Sequence, residues 1–94
     1  MIVRWTTGAL ADLISIESYQ RVYWPEARAS FERGLTAIER RIAEFPLSAP
    51  EVTQRSGVRV AAFLEFPYRL FYSVESDVVN VLAIRHTSRQ SRTE

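Results

Sequence analysis

The sequence predicts an α+β fold, ordered β-α-α-β-β-β, in which a mostly antiparallel sheet carries a helical hairpin on one face. Apolar residues recur at helical spacing through the first half of the chain. Strand-like apolar runs dominate the second half, and one short run of the same kind precedes the helices. Two helices joined by a short link pack as an antiparallel hairpin, and their shared apolar side needs a sheet to cover it.

The N-terminal segment predicts a short strand followed by a helix. Residues 2–6 alternate and are rich in residues that favour strands. Thr6 or Thr7 can then cap a helix over residues 9–22. We expect Asp12 in the first turn of this helix, where the helix dipole favours a negative charge.

The second helix has the most regular pattern in the chain. Pro25 ends the first helix and suits the first turn of the next one. Its apolar residues recur at steps of four, four, three, four and three: Ala27, Phe31, Leu35, Ile38, Ile42 and Phe45. Charged residues occupy the opposite side, which predicts a solvated face. Residues 46–57 contain prolines, serines and a terminal glycine, which is typical of a surface connection.

Three strands are predicted in the C-terminal half. Residues 58–64 alternate, whereas residues 66–74 and 78–84 form two apolar runs joined by Glu75-Ser76-Asp77, as in a β-hairpin. The sheet face turned away from the helices is expected to carry Arg59, Arg69, Phe71 and Ser73, with His86 as a further candidate. Such a face, with an aromatic residue and arginines exposed, implies a partner that covers it.

The two ends of this hairpin bring together the best candidate site. Arg69 lies near the start of one strand, and Arg85, His86 and Arg89 lie at the end of the other, so they are neighbours in an antiparallel pair. The planar guanidinium suits carboxylates and phosphates, and the imidazole has a pKa suited to proton transfer. The candidate binding residues at this site and on the same face are Arg59, Arg69, Phe71, Arg85, His86 and Arg89.

Composition limits the remaining possibilities. The 94 residues predict one domain over residues 1–94, of which residues 87–94 form a polar tail. There is no cysteine and only one histidine, so we expect neither a metal site nor a cofactor. A net charge of +1 argues against a strong nonspecific polyanion binder, although all 12 basic residues are arginines. No signal peptide or membrane span is evident, which predicts a cytoplasmic protein without membrane contacts.

Taken together, these pieces resemble the RelE/ParE superfamily of toxins from bacterial type II toxin-antitoxin modules. The resemblance extends over nearly the whole chain and lies in the order and spacing of three groups of residues. They are Trp5, Ala9, Asp12, Leu13, Ile16 and Tyr19; Ala27, Phe31, Leu35 and Pro46; and residues 67–72 with residues 81–89. The resemblance implies a growth-arresting toxin neutralised by a cognate antitoxin, in a heterodimer or heterotetramer, through a segment that folds on binding.

The superfamily divides by target, and the resemblance implies a different chemistry for each branch. RelE-like members cut messenger RNA in the ribosomal A site, whereas ParE-like members poison DNA gyrase without hydrolytic chemistry of their own. In the RelE-like case Arg69 would clamp the phosphate, Arg59 and Arg85 would assist, and His86 would transfer a proton. The alternatives are that Arg69 pairs with an acidic antitoxin side chain and that His86 is a structural residue.

Two departures favour the ParE-like branch. Ribonuclease members often carry a tyrosine at or shortly after the residue that follows this histidine, whereas here Thr87 follows and the tail has no aromatic residue. They are also usually strongly basic and rich in lysine, whereas this chain has no lysine. We therefore expect an inhibitor of DNA gyrase. The alternatives are an endoribonuclease that cuts ribosome-bound messenger RNA, and a module that has lost toxicity and only binds its antitoxin.

Overall fold

The fold combines two helices with a four-stranded sheet. The structure is a computed structural model, and it describes residues 1–87. Its helices and strands are β1 (Ile2–Trp5), α1 (Thr7–Tyr23), α2 (Arg28–Glu44), β2 (Val58–Ala62), β3 (Tyr68–Glu75) and β4 (Val78–His86). The predicted class and element order are confirmed, with a single 3₁₀ turn at Pro25–Ala27 between the helices. Neither α1 nor α2 is long and apolar enough to cross a membrane.

The sheet is mixed, with strand order β1-β4-β3-β2. β4 pairs antiparallel with β3, and β3 pairs antiparallel with β2, as expected for consecutive strands. β1 pairs with β4 in the parallel direction, because the chain crosses through both helices before it returns to the sheet. The hairpin turn is tight, with Ser76 at a φ of 55°.

One face of the sheet packs against the helices and forms the core. Its fully buried large side chains are Phe31, Ile42, Leu70, Tyr72, Val79 and Val81. Phe31 of α2 stacks on Phe63 with ring centroids 5.2 Å apart, and the edges of Phe66 and Tyr68 close around it. This aromatic cluster fixes the N-terminal part of α2 over the β2 and β3 side of the sheet, whereas Trp5 of β1 donates to Glu39 in the C-terminal half of α2 at 2.7 Å.

α1 begins at Thr7, and its cap is Thr6, whose hydroxyl accepts a hydrogen bond from Ala9 N at 3.1 Å. The prediction for Asp12 was wrong, since it lies beyond the first turn, which holds no acidic residue. Asp12 instead accepts a hydrogen bond from Ile84 N at 3.0 Å. β1 ends before this part of β4, so the carboxylate satisfies a backbone N–H that no neighbouring strand reaches.

A bulge in β4 decides which side chains face the helices at its C-terminal end. Tyr72 pairs with Val81 and Phe71 pairs with Ala83, so Leu82 is an extra residue without a partner in β3. Because one extra residue reverses the alternation, Ile84 is buried on the helix side after the bulge. Arg85 consequently points to the opposite side, which we call the outer face.

The long connection after α2 covers part of the free edge of β2. Val60 N donates to Pro50 O at 3.0 Å, and Val52 N donates to Val58 O at 2.7 Å. The connection is therefore a partial strand as well as the surface loop that was predicted.

Candidate functional site

Two arginines face each other on the outer face of the sheet. The register of β3 and β4 makes Arg69 and Arg85 direct cross-strand partners, which confirms the predicted proximity of the two hairpin ends. Residues directly opposite on antiparallel strands point to the same side, and both arginines are exposed. We call these two residues the arginine pair.

The two members of the arginine pair differ in their partners. Arg85 Nη1 donates to Asp12 Oδ2 at 2.7 Å, and the two side chains are 52% and 26% exposed. Arg69 has no ion pair or hydrogen bond within residues 1–87. Like charges placed opposite each other destabilise a sheet, so the Asp12 carboxylate offsets part of the repulsion between the arginines.

Small and apolar side chains surround the arginine pair on the outer face. Ala62 of β2 is opposite Arg69. Phe71, the next outer-face residue of β3, lies between Val60 and Ala83 on the neighbouring strands. Phe71 is only half-buried in the absence of a partner chain. The site is thus a guanidinium without a counter-charge beside an apolar surface.

Arg59 does not belong to this surface, so its predicted placement beside Arg69 was wrong. It is opposite Tyr72, which faces the helices, whereas Ala62 is opposite Arg69. Its guanidinium donates to Ala49 O at 2.6 Å and Leu47 O at 3.2 Å. Because these carbonyls come from the connection that covers the β2 edge, Arg59 holds that connection in place.

His86 lies at the same end of the sheet as the arginine pair but on the opposite face. It is the cross-strand partner of Tyr68, and their rings meet edge to face with centroids 5.4 Å apart. Tyr68 also contacts Phe31 of α2, which places His86 on the helix side. The expectation that His86 shares a face with the arginines is therefore wrong. Arg89 and the polar tail lie outside the described residues.

A comparison with family models matches residues 3–91 to the ParE toxin of the type II toxin-antitoxin system parDE. The chain belongs to the ParE toxin family. A solved structure titled "Chromosomal ParDE TA system from P. aeruginosa" shares the fold, with a TM-score of 0.74 at 22% sequence identity. The likeness covers 92% of this chain and 95% of that chain. A search of curated proteins finds no significant match.

This ParE-family toxin also carries a buried tyrosine that the sequence did not single out. Tyr72 is fully buried, and its hydroxyl donates to Pro46 O at 2.7 Å. Burial raises the pKa of Tyr72 above its usual range near 10, and the backbone of Ala49 and the charges of Arg59 and Arg41 partly oppose that rise. The phenol therefore stays protonated at neutral pH and ties the end of α2 to the sheet.

A second uncovered surface of this ParE-family toxin lies on α1, opposite its buried side. Leu10, Ile14 and Val22 are 46%, 62% and 69% exposed there. A helix with apolar residues on both sides normally has a second neighbour to cover them.

Within residues 1–87 no group of three or more His, Cys, Asp or Glu side chains could hold a metal ion.

Proposed function

We propose that this ParE-family toxin arrests growth by inhibiting DNA gyrase and is neutralised by a cognate antitoxin. Family membership supports the toxin role. The choice of gyrase over messenger RNA rests on one observation. His86 and the arginine pair lie on opposite faces of the sheet, so the proton carrier and the phosphate clamp do not meet around one substrate.

The requirements of RNA cleavage explain why this separation matters. Attack by a 2′-hydroxyl needs a base, an acid and cations arranged around one phosphate, with each proton carrier within hydrogen-bond reach of its atom. Arg59, the remaining predicted helper, is engaged with two backbone carbonyls on the helix side. What is left on the outer face is a surface suited to binding rather than to proton transfer.

Two uncovered surfaces support an antitoxin partner. The outer face of the sheet exposes the arginine pair beside half-buried Phe71, and the second surface is the apolar side of α1. The similar structure from P. aeruginosa is titled as a ParDE system. A segment that folds on binding can cover separated surfaces of this kind, because it gains contacts along its whole length.

A supercoiling assay tests the gyrase proposal. Purified toxin is titrated into gyrase with relaxed plasmid and ATP, and we expect lost supercoiling together with trapped, cleaved plasmid. Toxin preincubated with the protein encoded by the neighbouring gene, the expected antitoxin, serves as the control and should leave supercoiling intact. Normal supercoiling at saturating toxin, combined with cleavage of ribosome-bound messages at A-site codons, would instead establish the ribonuclease.

The substitution His86→Gln separates the two targets within one variant. Gyrase inhibition should persist, because this side chain packs against Tyr68 and performs no chemistry in the proposal. If the variant keeps its melting temperature but no longer arrests growth or cuts RNA, His86 is a proton carrier and the proposal fails. If the parent protein affects neither target yet binds its antitoxin, the chain is a module without toxicity.

A further inference from the structure

We propose that Arg69 binds a single carboxylate from an acidic peptide segment with apolar neighbours, and that the ion pair with Asp12 keeps Arg85 from binding this carboxylate. The identity of the peptide as the antitoxin rests on the proposed function, whereas the chemistry of the site rests on the contacts below. Arg69 is the binding residue, and Asp12 is a positioning residue that acts through Arg85.

The charges around Arg69 are not balanced. Arg69 and Arg85 are direct cross-strand partners, and only Arg85 has a counter-charge within residues 1–87. The three groups, Arg69, Arg85 and Asp12, therefore sum to one positive charge. A single added carboxylate neutralises this cluster and pairs with the one guanidinium that lacks a partner.

Asp12 is itself held in place while it binds Arg85. The same oxygen, Asp12 Oδ2, accepts hydrogen bonds from Ile84 N at 3.0 Å and from Arg85 Nη1 at 2.7 Å. Because the backbone N–H of Ile84 holds the Asp12 carboxylate in place, Asp12 cannot move onto the outer face with Arg85. The ion pair therefore directs Arg85 towards the edge of the sheet near α1, and Arg69 is the guanidinium beside the apolar residues of the outer face.

The surroundings of Arg69 suit a peptide carboxylate better than a nucleic-acid phosphate. Backbone binding of nucleic acid gains affinity from several cationic contacts, whereas in this cluster only Arg69 lacks a counter-charge within residues 1–87. Glu75, exposed on the outer-face side at the other end of the same strand, about 20 Å away, adds a negative charge that only a long polyphosphate running along β3 would meet. The neighbours Ala62, Phe71 and Ala83 instead suit the apolar side chains that flank an acidic residue in a peptide.

The test measures the affinity of purified antitoxin, from the neighbouring gene, for toxin variants by titration calorimetry at fixed ionic strength. Arg69→Gln should weaken binding about tenfold to a hundredfold, which is the usual loss when a hydrogen bond to a charged group is removed. The matched control is Arg4→Gln, because Arg4 is also exposed and faces outward from β1, and it should change affinity less than about threefold.

The partner side is located by a double-mutant cycle. Each Asp or Glu of the antitoxin is changed to its amide and measured against parent toxin and against Arg69→Gln. One substitution should weaken binding to the parent but have no further effect on Arg69→Gln. Equal affinity of Arg69→Gln and Arg4→Gln, or the absence of any coupled carboxylate, overturns the assignment of Arg69.

The role of Asp12 is tested by removing its charge while keeping its shape. Asp12→Asn retains an acceptor for Ile84 N but loses the ion pair, so Arg85 becomes available beside Arg69, and antitoxin affinity should rise about threefold or more. Adding Arg85→Gln should abolish the gain. Glu75→Gln removes the same charge from the outer face without releasing Arg85, so an equal gain in that control, or no gain in Asp12→Asn, refutes the role of Asp12.

Two further readouts keep the possible failures apart. Inorganic phosphate at roughly 50 mM, compared with chloride of equal ionic strength, should not displace the antitoxin. If phosphate displaces it from the parent but not from Arg69→Gln, Arg69 is a phosphate site. If parent toxin with a normal melting curve binds no antitoxin, the proposed function has failed. If it binds but Arg69→Gln binds equally well, only the present inference has failed.

Discussion

The two faces of the sheet use the same strands in opposite ways. On the helix side Leu70 and Tyr72 are fully buried, and the Tyr72 hydroxyl has its hydrogen-bond partner inside the chain. On the outer face Phe71 is half-buried, and Arg69 has no partner within residues 1–87. Residues one position apart in β3 should therefore differ in what their substitution costs, with folding lost on one side and binding lost on the other.

Two phenylalanines on opposite faces should differ most in what their substitution costs. Phe31→Ala removes a fully buried ring that contacts Phe63, Phe66 and Tyr68, so it should cost about 3–5 kcal/mol of unfolding free energy. Phe71→Ala on the outer face should cost less, about 1–2 kcal/mol, because this ring is only partly buried. Urea denaturation of both variants measures the difference. Equal losses would mean that the outer face is part of the core.

The next effect compares two arginines on neighbouring strands. Arg59→Gln loses the hydrogen bonds that hold Leu47 O and Ala49 O, so the unfolding free energy should fall by about 1–3 kcal/mol. Arg69→Gln should change it by less than about 0.5 kcal/mol, because Arg69 makes no hydrogen bond or ion pair within residues 1–87. Thermal melts of the isolated toxin at moderate salt give both values. A larger loss of unfolding free energy for Arg69→Gln than for Arg59→Gln would mean that the outer face contributes more to folding than the helix side at these positions.

The smallest effect concerns Tyr72 and depends on pH. Tyr72→Phe loses one hydrogen bond to Pro46 O, a cost of about 1 kcal/mol at neutral pH. Because burial raises the pKa of the folded-state phenol, its contribution to stability is complete below about pH 10 and is lost as the pH rises through the folded pKa. The variant should therefore lose less stability than the parent between neutral and alkaline pH.

Melting temperatures measured from neutral to alkaline pH test this prediction. Tyr19→Phe is the control, because Tyr19 is 59% exposed, and it should keep the alkaline loss of the parent. If Tyr72→Phe and Tyr19→Phe show the same alkaline loss, the buried phenol is not its source.

Sequence patterns predicted the elements because periodicity reports which residues share a side of a helix or strand. They did not predict which side of β2 would meet the helices. Alternation separated Arg59 from Val58 and Val60, and the charge suggested that Arg59 pointed to solvent. The structure reverses this assignment because carbonyls of the preceding connection, between α2 and β2, accept its hydrogen bonds. Those contacts depend on how a loop folds back, which strand periodicity does not describe.

The positions of His86 and Asp12 depend on details of pairing that have no signature in this chain. The run over residues 78–84 is almost continuously apolar, so nothing marks Leu82 as the extra residue of the bulge. That single insertion transfers His86 to the helix side and Arg85 to the outer face. Asp12 similarly suited a helix dipole in sequence, whereas its actual partner is an N–H of a strand 72 positions away.

The way in which the sheet edges are covered affects how this toxin can acquire new partners. Pro50 and Val52 already form hydrogen bonds with the free edge of β2. On the other side of the sheet, Asp12 accepts a hydrogen bond from the N–H of Ile84, beyond the end of β1. A strand from another molecule thus finds few open backbone groups at these positions. At these positions recognition must then depend mainly on side chains, so a partner that binds there can be exchanged by surface substitutions while the backbone hydrogen bonds of the sheet stay unchanged.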